Sequence, residues 1–237
     1  MADIRYFTIP NIITLLNLLC GSLAVVAAWQ MGNMLLAFGF VALGAVFDFL
    51  DGFAARLLKR YSAMGIQLDS LADMVTFGFA PGAVLFSVIM KCAGFQADGG
   101  LPAPAFVALS VPLFSALRLA RFNVDTEQKE SFIGLPTPAN ALLITSLGVL
   151  IWERAETVSL WVPVALAVVC SYLLISPVRM FSFKFADFSW KHNALRYCFI
   201  AISIAGILLA GIAAIPAIVG LYIVVSTVTW VACKKRQ

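Results

Sequence analysis

The chain has 237 residues, 62% of them hydrophobic and only 12% charged, whereas a soluble domain is typically about 45–50% apolar and about 25% charged. That imbalance excludes an ordinary soluble globular domain and points to transmembrane helices, each of which needs roughly 20 apolar residues. The net charge of +4 raises nucleic acid as a partner, a question that the placement of the charges decides.

From the N-terminus, Met1 to Thr8 carries Asp3 and Arg5 and lacks a small-residue cleavage pattern, so the first span is expected to stay in the mature protein. The part before Pro10 is mildly amphipathic, with Ile4, Tyr6 and Phe7. Apolar stretches and their breaks then predict eight helices, from Ile12 to Trp29, Leu35 to Leu58, Leu68 to Cys92, Ala103 to Phe122, Ala139 to Trp152, Leu160 to Ile175, Ala194 to Ala210 and Ile212 to Cys233. Gly94, Gly99, Gly100, Pro102 and Pro104 mark a loop, and Gly32–Asn33 and Pro216 mark tighter connections. The fold class expected is an all-α, polytopic transmembrane helical bundle of about eight spans. Six or seven spans stay open, because the fifth helix is short and the last pair is closely joined. The whole of 1–237 reads as a single integral-membrane domain.

With the N-terminus inside, Arg5, Arg56, Lys59, Arg60, Arg118, Arg121, Lys129, Arg179, Lys184, Lys191, Arg196, Lys234, Lys235 and Arg236 fall on one side, and only Lys91 and Arg154 on the other. This positive-inside bias predicts both termini cytoplasmic. It accounts for the net charge without nucleic acid, and the basic residues can attract anionic lipid heads. Cys20, Cys92, Cys170, Cys198 and Cys233 are scattered with no C-x-x-C pair. They argue against a zinc site or disulfide framework and read as small apolar residues.

The chemistry concentrates in DFLDGFAARLLKRYSAMGIQLDSLAD, Asp48 to Asp73. Asp48 and Asp51 are three apart near the end of the second helix, which puts both carboxylates on one face about 4.5 Å apart along the axis. Asp69 and Asp73 are four apart near the expected start of the third helix, again on one face. Charge inside a bilayer is expensive, so either the acids share protons or cations compensate. Oxygen-only ligands suit hard divalent ions such as Mg2+, Mn2+ or Ca2+. Gly52, Ala55 and Gly65 remove bulk where a group could approach, and Arg56 adds one positive charge on the same face.

These residues resemble the signature of the CDP-alcohol phosphatidyltransferase family, D-x2-D-G-x2-A-R, then G-x3-D-x3-D. The chain fits it at Asp48, Asp51, Gly52, Ala55, Arg56, Gly65, Asp69 and Asp73. The resemblance implies a family core over about 1–180, about six helices, with extra C-terminal helices over about 192–233. It implies that Asp48, Asp51 and Asp69 bind divalent metal and that Asp73 is a fourth ligand or the general base. Gly52, Ala55 and Gly65 would leave room for the cytidine, and Arg56 would stand near the phosphates or brace the acids. The lipid would be CDP-diacylglycerol, CMP would leave, and direct attack needs no covalent intermediate. No Ser, Cys or His stands by the cluster as an activated nucleophile.

Three further segments look similar to the phosphatidylserine synthase branch of that family. In PNIITLLNLLCG, Thr14 and Asn17 share a face with Pro10 and Gly21 and could meet the nucleotide. In SALRLARFN, Arg118 and Arg121 could clamp the carboxylate of L-serine, with Asn123 or an acid of the cluster taking its ammonium. GLPTPAN, Gly134 to Asn140, reads as a kinked entrance to the fifth helix. Glycerol phosphate or inositol phosphate would also want arginines and stays the alternative acceptor. The other class open is a cation-coupled transporter, against which stand the clustering of the acids at one membrane end and the lack of an inverted repeat. His192, the only histidine, reads as a surface or headgroup-contact residue. Resemblance further implies a homodimer in a bacterial or archaeal cytoplasmic membrane, with the active site on the cytoplasmic side.

Overall fold

The computed structural model describes residues 6–59, 62–95, 100–124, 132–180 and 190–234, with 132, 190–196, 233 and 234 described by backbone alone. The N-terminal amphipathic segment up to residue 5, Gly99 and the basic residues Arg5, Arg60, Lys129, Lys184, Lys235 and Arg236 lie outside the described residues. So do the side chains of Lys191, His192, Arg196 and Lys234.

Local capping decides where the first helices begin. Helix α1 (Ile9–Trp29) starts at Thr8, whose hydroxyl accepts from Asn11 N, with Pro10 in the first turn, where its missing N–H costs nothing. Helix α2 (Met34–Leu57) starts at Asn33, which accepts from Leu36 N at 2.9 Å. Helix α3 (Ala63–Asp73) starts at Ser62, which accepts from Gly65 N at 2.9 Å. The expected start at Leu68 is therefore late by more than a turn, and Asp69 sits in the second turn of α3.

From Asp73 the chain runs through a π-helical segment (Met74–Phe79) straight into α4 (Ala80–Cys92). Pro81 stands two residues after that segment ends, in the first turn of α4. It has no N–H for the Phe77 carbonyl, and its ring crowds the preceding turn, so the helix widens there. A 3-10 turn (Ala103–Leu109) leads into α5 (Ser110–Val124), followed by α6 (Thr137–Trp152), α7 (Trp161–Ile175), α8 (Trp190–Ala210) and α9 (Ala214–Lys234). Gly211, at φ +56°, turns the chain between α8 and α9, which pack on each other.

The eight expected helices are present, α3, the π segment and α4 together forming the third. By length and apolarity Ile9–Trp29, Met34–Leu57, Ala63–Cys92, Ala103–Val124 and Tyr197–Ala232 are able to cross a membrane, the last holding most of both α8 and α9. Thr137–Trp152 and Trp161–Ile175 are apolar but shorter. Large apolar side chains such as Leu19, Phe49, Leu113, Val168 and Leu208 face outward, as expected of a helical integral membrane protein.

The half of the bundle that holds the acids is pinned at Thr76. Its hydroxyl donates to Asn17 O at 2.9 Å. A Cβ on Gly44 would fall 2.5 Å from Thr76 Cγ2, and one on Gly21 would fall 2.7 Å from Thr76 Cα. The two glycines thus let α1 and α2 close directly onto the π segment. Beside it Phe77, fully buried, packs with Ala24, Val41, Ala80 and Ala141.

The all-helical expectation misses one small element. Strands β1 (Phe132–Ile133) and β2 (Arg179–Met180) pair antiparallel, Phe132 opposite Met180, just before α6 and just after α7. Gly134 N and Leu135 N continue the tie, donating to Val178 O and Leu173 O, each at 2.9 Å. Gly134 has φ +79°, and a Cβ there would meet the Leu174 carbonyl oxygen. Gly134→Ala is expected to destabilise the protein by about 1–3 kcal/mol, as a strained backbone position does. Gly39→Ala, where a Cβ meets nothing within 4 Å, should be neutral or stabilising. Thermal unfolding of both variants in detergent checks the pair.

Candidate active site

Asp48 and Asp51, near the end of α2, and Asp69, on α3, turn their oxygens toward one point. One oxygen from each lies within 4.8 Å of the others. Asp51 is buried, and Thr14 Oγ1 on α1 lies 2.7 Å from its Oδ2. Asp69 Oδ1 is buried with no hydrogen-bond partner among the described residues. Three carboxylates this close repel one another, and an orphaned buried oxygen costs about 1–3 kcal/mol or more when charged. A hard divalent cation removes both penalties, and the all-oxygen donor set suits it. The residues present therefore fit a metal site.

The triad opens into a cavity of about 370 Å³. Of the residues expected to meet the nucleotide, Thr14, Gly52, Ala55, Arg56 and Gly65 line it. At Gly52 a Cβ would meet nothing within 4 Å, so the position faces open space. Arg56 is exposed and folds back along α2, its Nε donating to Gly52 O at 3.1 Å. Asn17 is brought elsewhere. It is fully buried, and its Nδ2 donates to Asp73 Oδ1 at 3.2 Å.

Asp73 stands apart from the three clustered acids, although its charge interacts with all of them. It lies on the side of Arg118, with which it also interacts electrostatically. Arg118, on α5, is buried, and its Nη1 donates to Thr137 Oγ1 at 3.3 Å. Arg121 and Asn123 are exposed at the end of α5, where Asn123 Nδ2 donates to Ser70 Oγ at 2.9 Å and ties α5 to α3. The two arginines, equivalent by spacing, thus occupy different environments.

The segments SALRLARFN and GLPTPAN also hold Ser115, Thr137 and Asn140, buried polar residues to which the sequence assigns no role; Thr137 accepts from Arg118, and Ser115 lies one turn from Arg118 on α5. Each lies three residues from a partner on its own helix, a spacing visible in the sequence. Tyr222, on α9, was also missed. A lone tyrosine in a long apolar helix carries no signal of its own.

The family model described as CDP-alcohol phosphatidyltransferase matches residues 7–169. A CDP-diacylglycerol–serine O-phosphatidyltransferase of Bacillus subtilis is 34% identical over 179 residues, 74% of this chain and 91% of the relative. One of Helicobacter pylori is 30% identical over 232 residues, covering 95% of this chain and 92% of its own, so that similarity extends through the C-terminal helices. One of Methanocaldococcus jannaschii is 34% identical over 175 residues, 74% of each chain.

Added Mn2+ is expected to raise the unfolding midpoint of the protein in detergent, by about 2.7 kcal/mol of stabilisation at 100 times the dissociation constant. Asp48→Asn and Asp69→Asn should lose most of that rise. A full rise in both variants would place the ion elsewhere.

Proposed function

The chain belongs to the CDP-alcohol phosphatidyltransferase family, and from that premise we propose that it transfers the phosphatidyl group of CDP-diacylglycerol to the hydroxyl of L-serine. The observation that carries this reading is the Asp48–Asp51–Asp69 triad facing a cavity lined by Gly52, Ala55 and Gly65. The relatives' names supply the acceptor. Membership of an enzyme family sets aside the transporter alternative.

In this reading Asp48, Asp51 and Asp69 hold Mg2+ or Mn2+, with Ca2+ a further candidate. Bound there, the metal would offset the charge of the diphosphate and of the departing phosphate. Thr14 holds Asp51 in place through its hydroxyl, while Gly52, Ala55 and Gly65 give the cytidine room. Arg56, at the exposed edge, faces the phosphates. Asp73 is the general base. It lies outside the triad, and a base must be the carboxylate least drained by metal. Asn17 orients it by donating to one of its oxygens. Asp73 takes the serine hydroxyl proton as the serine oxygen bonds to phosphorus, and the bond from phosphorus to the CMP oxygen breaks with its electron pair leaving on CMP.

Arg118 pairs with the serine carboxylate, and Arg121 and Asn123 stand at the exposed end of α5 where an acceptor enters. The bias of basic residues supports a cytoplasmic active site and cytoplasmic termini in a bacterial or archaeal cytoplasmic membrane. The catalytic domain of this reading spans the whole chain, its family core over about 1–180.

The test is CMP release by purified protein in detergent with CDP-diacylglycerol and Mn2+ or Mg2+, offering serine, glycerol phosphate and inositol phosphate separately. Release that needs metal and rises only with serine is the expected result. Release with another acceptor would keep the chemistry and remove serine. Asp69→Asn should abolish turnover, and Asp73→Asn should lower kcat by about 10²–10⁴-fold, the usual worth of a general base.

A further inference from the structure

The chemistry above uses Arg118 on α5 and gives α6 and α9 no part. Both helices nevertheless bring polar groups toward the same guanidinium. Thr137, in the first turn of α6, accepts from Arg118 Nη1. Asn140 follows three residues later, so it lies on the same face of α6 one turn farther into the bundle. It is 0% exposed, and neither its Oδ1 nor its Nδ2 has a hydrogen-bond partner among the described residues. On α5, Ser115 precedes Arg118 by the same three residues. It too is 0% exposed, with its Oγ unpartnered, as is Arg118 Nε. Helices α5 and α6 both pack on the π segment, and Arg118 near the end of α5 meets Thr137 at the start of α6, so Ser115 and Asn140 each lie one turn from that contact on its own helix.

The π segment after Asp73 closes this region from the side of the acids. A Cβ on Gly78 would fall 3.0 Å from Ser115 Cβ. From α9, which packs on α6, Tyr222 is 6% exposed, lies in the same buried cluster as Leu135 and Ile144 at the entrance and middle of α6, meets the Phe199 ring edge-on at 6.1 Å and interacts electrostatically with Arg118. Tyr222 lies beyond the residues 7–169 that the family model matches.

We infer that Ser115, Asn140 and Arg118 form a subsite for the zwitterionic head of an α-amino acid, and that Tyr222 is a positioning residue that holds Arg118 in it. This inference rests on the serine reading above. Buried polar groups are ordinarily satisfied, and the four atoms left open here are of both kinds. Asn140 Oδ1 accepts, as an ammonium requires. Asn140 Nδ2, Ser115 Oγ and Arg118 Nε donate, as a carboxylate requires. A phosphate head offers acceptors alone and would set its oxygens against Asn140 Oδ1, so the same pocket disfavours a phosphorylated acceptor.

The experiment measures kcat, the KM for serine and the KM for CDP-diacylglycerol with saturating Mn2+, for wild type, Asn140→Ala, Asn140→Ser, Tyr222→Phe and Tyr222→Ala. Ethanolamine, lacking the carboxylate, and 3-hydroxypropionate, lacking the ammonium, serve as alternative acceptors. Asn140→Ala is expected to raise the KM for serine about tenfold or more, the worth of one good buried hydrogen bond, with kcat and the lipid KM within about twofold. It should also narrow the preference for serine over both analogues. Tyr222→Phe should raise the serine KM by about threefold, less than Tyr222→Ala, through loss of the phenol's hold on Arg118.

An unchanged serine KM in Asn140→Ala overturns the subsite. So does a parallel loss of kcat, both KM values and thermal midpoint in Asn140→Ala and Asn140→Ser with acceptor preference intact, since that marks a packing residue. An unchanged serine KM in both Tyr222 variants overturns the role of α9. No serine-dependent CMP release by the wild type would overturn the parent reading with this one.

Discussion

Crowding of like charge is the constraint on which the rest of the bundle depends. Asp48, Asp51 and Asp69 converge to within 4.8 Å in a protein that is otherwise mostly apolar. Repulsion and desolvation both oppose that arrangement. The acids cannot hold themselves together, so neutral packing behind them must. The closure of α1 and α2 on Thr76, through Gly21 and Gly44, and the seating of Phe77 among small residues supply it. Once α1 is pinned there, Thr14 and Asn17 on one face reach two different acids, Asp51 and Asp73. One helix without an acid of its own thereby orients carboxylates on two others.

The spacing of the acids made much of this legible. Residues three and four apart on a helix share a face whatever the tertiary structure, so the pairings Asp48 with Asp51 and Asp69 with Asp73 were available at once. The start of α3 was not, because Gly65 and Gln67 interrupt the apolar pattern that Ser62 in fact caps. Nor was the partition of Thr14 and Asn17. Their shared face is local information, but their partners lie 37 and 56 residues away. The π segment leaves only Pro81 as a trace, inside the stretch read as one helix from Leu68 to Cys92, and a proline there signals a kink or break without saying that the turn before it widens. The β1–β2 tie is two residues long on each side, too short for any alternation to show.

Arg118 and Arg121 teach the same lesson about burial. Both belong to the positive-inside set, and periodicity treats them alike. The structure sends Arg118 under Thr137 and leaves Arg121 at the open end of α5. What separates them is the neighbouring entrance of α6, which is aimed by Gly134 and the β1–β2 pair. A motif that looks like a loop and helix start is therefore also what brings a partner to the buried arginine. Local propensity and site geometry are satisfied there by the same few residues.

Helices α6 and α7 contain 16 and 15 residues, so they measure about 24 and 22 Å against a hydrocarbon core of about 30 Å. Helices α1 and α2 are long enough for the full thickness. Helix α6 has no exposed residue, but α7 turns Val168, Val169 and Tyr172 outward, and where a helix shorter than the hydrocarbon core faces lipid, the lipid thins or polar surroundings dip inward to match the shortfall. That flank carries the β1–β2 tie and the entrance beside Arg118. In the proposed reading the water-soluble acceptor approaches Arg118 along this dip, while the lipid-anchored phosphate stays at the Asp48–Asp51–Asp69 cavity beside α1. Membrane thickness then becomes a variable of the approach to Arg118: a thicker bilayer deepens the dent beside α7, and a thinner one flattens it.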